Sequence, residues 1–355
     1  MPLLSSRRIR ELAIQAGFEA AGVSGVCAED LPELAHFEEW IERGHAGEME
    51  YLKKRDEQGR LTRGALDRAA PWARSVIVCA ADYSTRFPLS TECSEPDRGW
   101  ISRYAWSKTD YHDDVLARLR GLEQKIREAA GPAAVRTWCY VDTGPLVERV
   151  YARHAGVGWI GKNTCVINQQ LGSWTFLGVI LTSAQLVADA PAADRCGSCT
   201  RCIDACPTAA LIAPYQLDSR RCIAYLTIEK RGDIPEELRG GMGRNVFGCD
   251  ICQDVCPWNS KARHARAHHA KGAREELVNP ALEWLASLTE EEFRRVFRNS
   301  PVKRAKYSGL RRNVAIAMGN SGDARFVPPL KKLAADGDAV VARHARWALK
   351  KIEEI

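Results

Sequence analysis

Eight of the thirteen cysteines fall in or beside two short runs. CGSCTRCIDACP (196–207) has the spacing C-x2-C-x2-C-x3-C-P. CDICQDVCP (249–257) has C-x2-C-x3-C-P, with Cys222 between the two runs. A 4Fe–4S cube needs four soft thiolates at its corners; a C-x2-C-x2-C loop can wrap three of them, and the last cysteine of the run turns to the other cluster. That logic puts one cube on Cys196, Cys199, Cys202 and Cys256. A second takes Cys206, Cys222, Cys249 and Cys252, and no thiol of the set is left over. Zinc also favours paired C-x2-C, but triplets at this spacing that exchange a ligand across two runs are not a zinc pattern. The expected chemistry is the movement of single electrons. Cys79, Cys139 and Cys165 lie in strand patterns and read as buried apolar thiols, while Cys27 and Cys93 are scattered.

Three other motifs bear on chemistry. GVGWIGKNT (156–164) satisfies G-x-G-x-x-G and nearly matches a phosphate loop. It follows a helical pattern and leads into a strand, the reverse of the strand–loop–helix order that aims a helix N-terminus at phosphate. Nucleotide binding is rejected there. VDTGP (141–145) ends a strand pattern; from spacing alone Asp142 or Thr143 reads as the cap of the following helix, with Pro145 in its first turn. DYHDDV (110–115) resembles the D-x-H-x-x-G histidine site of some cobalamin proteins, but Val115 replaces the glycine. Asp110 and His112 read as residues of a helix N-terminus.

The elements that position these residues follow from periodicity. Residues 5–16, 30–44 and 111–131 have helical spacing, the last two ending at glycine. SVIVCAADYS (75–84) and VRTWCYVD (135–142) read as buried strands, and 165–183 as a hairpin about QQLGS. ADAPAADRCG (188–197) reads as a linker and 259–274 as a basic surface connector. Beyond it the pattern is helical, and 310–323 resembles 341–354 at a 31-residue offset, which suggests HEAT-like units. The fold class is therefore α+β. Residues 1–185 form an α/β domain, 186–260 a two-cluster ferredoxin-like domain, and 275–355 a helical-repeat domain. The composition, 45% hydrophobic and 27% charged, has no run long enough to span a membrane. The N-terminus carries arginines where a signal peptide would be apolar, so a cytoplasmic protein with reduced thiols is expected. After residue 260, 20 Lys and Arg face 11 Asp and Glu, against 31 and 34 before it. A basic tail on a slightly acidic body suits an anionic partner or, equally, a solvated helical surface.

Taken together, VDTGPLVERVYARHAGVGWIGKNT, CGSCTRCIDACPTAAL, RCIAYLT, GCDICQDVCPWN and SRYAWSKTDYHDDVL resemble the epoxyqueuosine reductases, and the resemblance runs through nearly the whole chain. It implies a cobalamin-binding N-terminal domain like that of reductive dehalogenases. It also implies reduction of the epoxide of epoxyqueuosine in a tRNA anticodon loop to the alkene of queuosine, with electrons passing from two 4Fe–4S clusters to cobalamin. Asp142 aligns with the family's proton donor, which reverses its reading as a cap, because an alkoxide leaves poorly until protonated. The implied cobalamin contacts are Arg63, Ser102, Asp142, Asn163, Val166, Leu177 and Ala224. Some relatives carry cysteine in place of Ser102. The partners are then tRNA and an unidentified electron donor, with no membrane, and a monomer is the simplest expectation. Arg311, Arg312, Lys331, Lys332, Arg343 and Arg346 are the candidate phosphate contacts. The competing readings are a reductive dehalogenase-like enzyme, which would usually carry an export signal, a non-catalytic electron-transfer protein, and an RNA-binding scaffold that leaves the cluster cysteines unexplained.

Overall fold

The computed structural model describes residues 4–27, 31–131, 135–265 and 273–354. Its N-terminal half is built on a four-stranded sheet of β1 (Ala20–Ser24), β2 (Ser75–Asp82), β3 (Thr137–Tyr140) and β4 (Thr175–Thr182), in the order β1-β2-β4-β3 and antiparallel throughout. β2 pairs with β4 along its whole length, from Ser75 opposite Thr182 to Asp82 opposite Thr175. Its apolar run does not alternate with polar residues because both faces are covered. Successive side chains point to opposite faces, so Ile77, Cys79 and Ala81 meet α1 (Ser6–Gln15) and α2 (Tyr111–Ala130). Val76, Val78 and Ala80 meet α3 (Glu148–His154). Cys79 is fully buried, as its strand position suggested. The helix ends obey local chemistry: Ser5 accepts from the Arg8 amide at the start of α1, and Asp110 caps α2, which stops at the left-handed Gly131.

The hairpin expected over 165–183 does not form as such. Val166–Ile167 pairs with Trp159–Ile160, while β4 joins the main sheet; only an Asn168–Gly172 bridge closes the QQLGS turn. The reason is tertiary. Gly172 lies against Asn259, where a Cβ would come within 2.1 Å of Asn259 Oδ1, so the turn serves as a seat for the second cysteine run.

The C-terminal half is not an appendage. Trp100–Ile101 pairs in parallel with Asn245–Phe247, and both join one core with the helices that follow. These helices include α5 (Leu282–Ser287), α6 (Lys306–Ser321), α7 (Val327–Ala334) and α8 (Ala339–Glu353); α4 (Ile223–Ile228) precedes them and begins one residue after Cys222. The two similar sequence segments fall on α6 and α8, which approach closely because Gly319 has no side chain: a Cβ there would lie 2.7 Å from that of Ala348. The basic connector forms a helix over Pro257–Ala265, and its residues 266–272 lie outside the described residues.

Arg312 corrects one expectation. It is 2% exposed, so it cannot meet a phosphate. Its guanidinium donates to the carbonyls of Leu226 (2.7 Å), Gly232 (2.8 Å) and Lys230 (3.0 Å), around the end of α4. Next to it, Asn313 donates to Thr227 O and Val246 O, both at 2.9 Å. Arg311 and Arg343 are paired with Asp336 and Asp233, and Arg346 donates to Ala334 O. Of the six basic residues, Lys331, Lys332 and Arg346 are exposed with no ion pair among the described residues, and none of the three lines the cavity described below. Burial pulls Arg312 down to about 10, which leaves it cationic at neutral pH. Replacing it by Leu orphans the buried Leu226 carbonyl and removes two part-buried bonds, to Lys230 O and Gly232 O, and we expect a loss of about 3 kcal/mol. Because α4 starts beside Cys222, iron retention should fall as well. Urea denaturation and iron analysis of Arg312→Leu test this, and unchanged stability would refute the bracing role.

Candidate active site

Between the sheet domain, the cysteine-rich segment and residues 290–307 lies a cavity of about 2300 Å³. Of the expected cofactor contacts, Arg63, Asp142, Val166, Leu177 and Ala224 line it. Ser102 and Asn163 stand behind the wall, 3% and 4% exposed. Ser102 Oγ donates to Asp250 Oδ1 (2.5 Å), while Asn163 Nδ2 donates to Cys252 O (3.3 Å) and its Oδ1 accepts from Cys165 N. Both brace the second cysteine run.

Asp142 is not a helix cap. α3 begins six residues later, at Glu148, and Asp142 itself has φ +57. Aspartate is among the few non-glycine residues that enter this left-handed region at modest cost. The following Gly144 is required because a Cβ would strike the Tyr140 ring at 1.9 Å. This turn projects the half-exposed Asp142 carboxylate into the cavity. Tyr111 Oη donates to Asp142 Oδ2, His112 Nε2 lies 3.7 Å from the same oxygen, and Arg63 donates to the Asp142 carbonyl. Tyr111 is held by stacking on Phe176, with ring centroids 4.3 Å apart and planes 4° from parallel. His112 is held by Asp110, whose Oδ1 is 2.7 Å from Nδ1, and Asp110 in turn meets Lys303 Nζ at 3.0 Å.

Burial alone would raise Asp110, but hydrogen bonds from His112 and Lys303 outweigh it and hold its carboxyl well below the usual range. Burial, reinforced by the Asp142 charge, pushes the Tyr111 phenol far up, so it remains a donor. The sequence offered DYH only as a failed cobalamin-histidine motif, and nothing in it placed Lys303 beside Asp110. Glu148 was missed too. Its Oε1 is buried without a hydrogen-bond partner among the described residues, its Oε2 is 3.6 Å from Arg63, and burial pushes it up to about 7. Trp159 Nε1, on the same cavity wall, is also unpartnered.

The cysteines sort into two groups. Burial, then the neighbouring Cys256 and Cys196, push Cys202 up to about 11. Burial, then Cys222, acts on Cys249, which also feels Cys206. Cys252 is raised chiefly by its contact with Cys165, then by burial and by Cys249 and Cys222. Cys199 shares the first loop, its amide donating to Cys196 O at 3.2 Å. Among the described residues no three His, Cys, Asp or Glu side chains converge on a point that one metal ion could fill. The first loop is at the surface, with Gly197, Ser198, Thr200 and Arg201 exposed, whereas Cys222 borders the cavity.

A helix-covered antiparallel sheet, two interlocked cysteine runs and an acid-bearing cavity between them define an iron–sulfur oxidoreductase with an internal reaction chamber. The comparisons agree. Residues 195–259 match the model of the 4Fe–4S double cluster binding domain, and residues 63–143 match that of epoxyqueuosine reductase QueG, DUF1730. The epoxyqueuosine reductase of Xanthomonas campestris pv. campestris is 39% identical over 351 residues, 98% of this chain and 96% of that protein. The chain belongs to the epoxyqueuosine reductase family. A crystal structure of epoxyqueuosine reductase with a tRNA-Tyr epoxyqueuosine-modified stem loop has a TM-score of 0.83 and 30% identity, covering 98% of this chain and 89% of that one. A Bacillus subtilis structure, with its catalytic aspartate loop swung out of the active site, has the same score and identity and covers 98% and 90%.

Glu148 gives a pH signature. Its folded pKa is raised from 4.5 to about 7, so between those values the folded protein keeps a proton that the unfolded chain has lost. Stability therefore falls as pH rises through this window, by up to about 3 kcal/mol, and stays lower above it. In cavity-empty protein, Glu148→Gln should flatten the decline and raise stability at pH 8. Urea midpoints from pH 4.5 to 8 measure it, and a decline that persists in the variant would assign the effect elsewhere.

Proposed function

We propose that this chain reduces the epoxide of epoxyqueuosine in a tRNA anticodon loop to the alkene of queuosine, with Asp142 as the proton donor. The observation that carries this reading is the Asp142 carboxylate, aimed into a chamber that also exposes Cys222. The conversion takes two electrons and two protons, and the epoxide oxygen leaves as water. Two 4Fe–4S clusters, on Cys196, Cys199, Cys202 and Cys256 and on Cys206, Cys222, Cys249 and Cys252, together with cobalamin, supply the electrons when bound.

Several features support the fit of a corrinoid. The cavity exceeds the roughly 300–1,000 Å³ of ordinary ligand pockets and has room for a large cofactor and a nucleoside together. Its apolar wall includes Val166, Leu177 and Ala224, and Arg63 and Asp142 add polar groups at its edge. Arg63 then has two tasks, fixing the Asp142 turn and facing the cofactor edge. Ser102 and Asn163 act through the cluster loop. His112 is engaged by Asp110 and lies beside Asp142, which favours a role in proton supply over one as a metal ligand.

In this reading Asp142 gives its proton to the departing oxygen, and Tyr111 and His112 keep the carboxyl pointed at it. Lys303 and Asp110 fix the His112 ring from behind. Residues 1–185, 186–260 and 275–355 serve as cofactor, cluster and HEAT-like units that share walls. The anticodon arm approaches over exposed Arg298, Lys303, Arg304 and Lys306 at the cavity mouth, where phosphate contacts position the loop while its unstacked base enters. The relative crystallised with a modified stem loop supports this substrate class.

Asp142→Asn should keep iron, cobalamin and stem-loop binding while losing at least about 100-fold in turnover, the usual scale of general acid catalysis. Retained turnover would remove Asp142 as the acid. Replacing Arg298 and Lys306 together by Ala should weaken stem-loop binding and reduce the slope of log affinity against log salt by about 1.5, two phosphates' worth. An unchanged slope would place the RNA elsewhere.

A further inference from the structure

Asp250 has no part in the proton network, yet it is built into the cluster region. It lies between Cys249 and Cys252 and is 1% exposed. Three neutral donors converge on it: Trp100 Nε1 at 2.9 Å and Arg103 N at 2.7 Å on Oδ2, and Ser102 Oγ at 2.5 Å on Oδ1. Trp100 Nε1 and Arg103 N can only donate, and a carboxylate takes both on Oδ2 while accepting from the Ser102 hydroxyl on Oδ1. The close approach is prepared by the backbone. Gly248 has φ +70 and faces Ser102, whose Cβ would be 2.5 Å from an added one, and the Trp100–Ile101 strand is paired to Asn245–Phe247 just before it. Desolvating a carboxylate is costly even with hydrogen bonds. A neutral clamp between these two segments would cost less, so the charge itself calls for a reason.

We propose that the Asp250 carboxylate is a fixed negative charge that lowers the reduction potential of the inner cluster, the one held by Cys249 and Cys252. Net charge, hydrogen bonding and burial are the levers by which a protein sets such potentials. A negative charge buried beside the cube disfavours the added electron and makes the reduced cluster a stronger reductant. Trp100, Ser102 and Arg103 N stabilise the charge and partly screen it, so the donors and the carboxylate act in opposite senses on the cluster. This inference rests on the two-cluster reading above.

Redox titration of anaerobically reconstituted protein, followed by electron paramagnetic resonance, tests it. Wild-type protein should show two titrating 4Fe–4S centres; a single centre would overturn the two-cluster reading and this inference with it. In Asp250→Asn with full iron content, one centre should move to higher potential while the other stays. In Ser102→Ala, with one donor fewer on the carboxylate, the same centre should move lower. Shifts of opposite sign are the mark of a charge; a mere clamp would give none, or the same sign in both. If Asp250→Asn fails to hold its clusters, Ser102→Ala decides alone: a downward shift of one centre sustains the inference, and no shift or an upward one overturns it. In two-cluster protein, an unmoved potential in Asp250→Asn overturns the charge role and leaves the two-cluster reading standing.

Discussion

The loop from Gly248 to Asn259 is where three parts of the molecule meet, and buried hydrogen bonds hold it. Gly248 N donates to Thr227 Oγ1, Asp250 takes its three donors from the 100–103 segment, and Asn163 reaches Cys252 O. Gln253 Nε2 donates to Ser173 O, Asn259 Oδ1 accepts from Ser173 N, and Asn259 Nδ2 returns to Gln253 O. Apolar packing tolerates repacking and small drift. A directional bond to a buried group does not, because an orphaned partner costs about 1–3 kcal/mol. On the proposed cluster assignment this loop presents three thiolates to two different cubes, a task that needs the second kind of restraint. Asn163 and Ser102 make sense on these terms, as supports for the loop that stand outside the chamber.

The same logic reaches into the C-terminal helices. Arg312 and Asn313 on α6 satisfy the carbonyls at the far end of α4, the helix that begins next to Cys222 and carries Ala224 to the chamber wall. Lys303 reaches forward to Asp110. The helical region is therefore part of the chamber's construction as well as its rim: buried Arg312 braces α4, and at the exposed mouth Lys303 and Arg304 pair with Asp110 and Glu229.

Local spacing pointed to a two-cluster segment, and residues 195–259 match a double-cluster domain; which thiol serves which cube stays part of the proposal. Apolar runs likewise gave β2, β3 and β4, and glycine marked the end of α2. What the sequence hid was long-range. Arg312 and Lys303 have the same charge and nearly the same neighbourhood in the chain, and only the fold buries one and exposes the other. The QQLGS turn looked like the apex of a hairpin because its glycine fits a turn; the nearby Asn259 is an equally good reason for glycine, and it lies 87 positions from Gly172. DYH could not be joined to VDTGP without knowing that α2 starts where β3 ends in space.

The Asp142 turn follows from that last juxtaposition. A left-handed aspartate with no capping partner has little local preference for its position, and the strain of order 1–3 kcal/mol that such a residue can carry must be met by its surroundings. Here Tyr111, His112 and Arg63, from two separate segments, each contact it. Tyr111 is fixed by Phe176 on β4, and His112 by Asp110 and Lys303. The inward position of the acid is thus a property of its neighbours more than of its own backbone. The acid is held firmly only when the walls around it are complete.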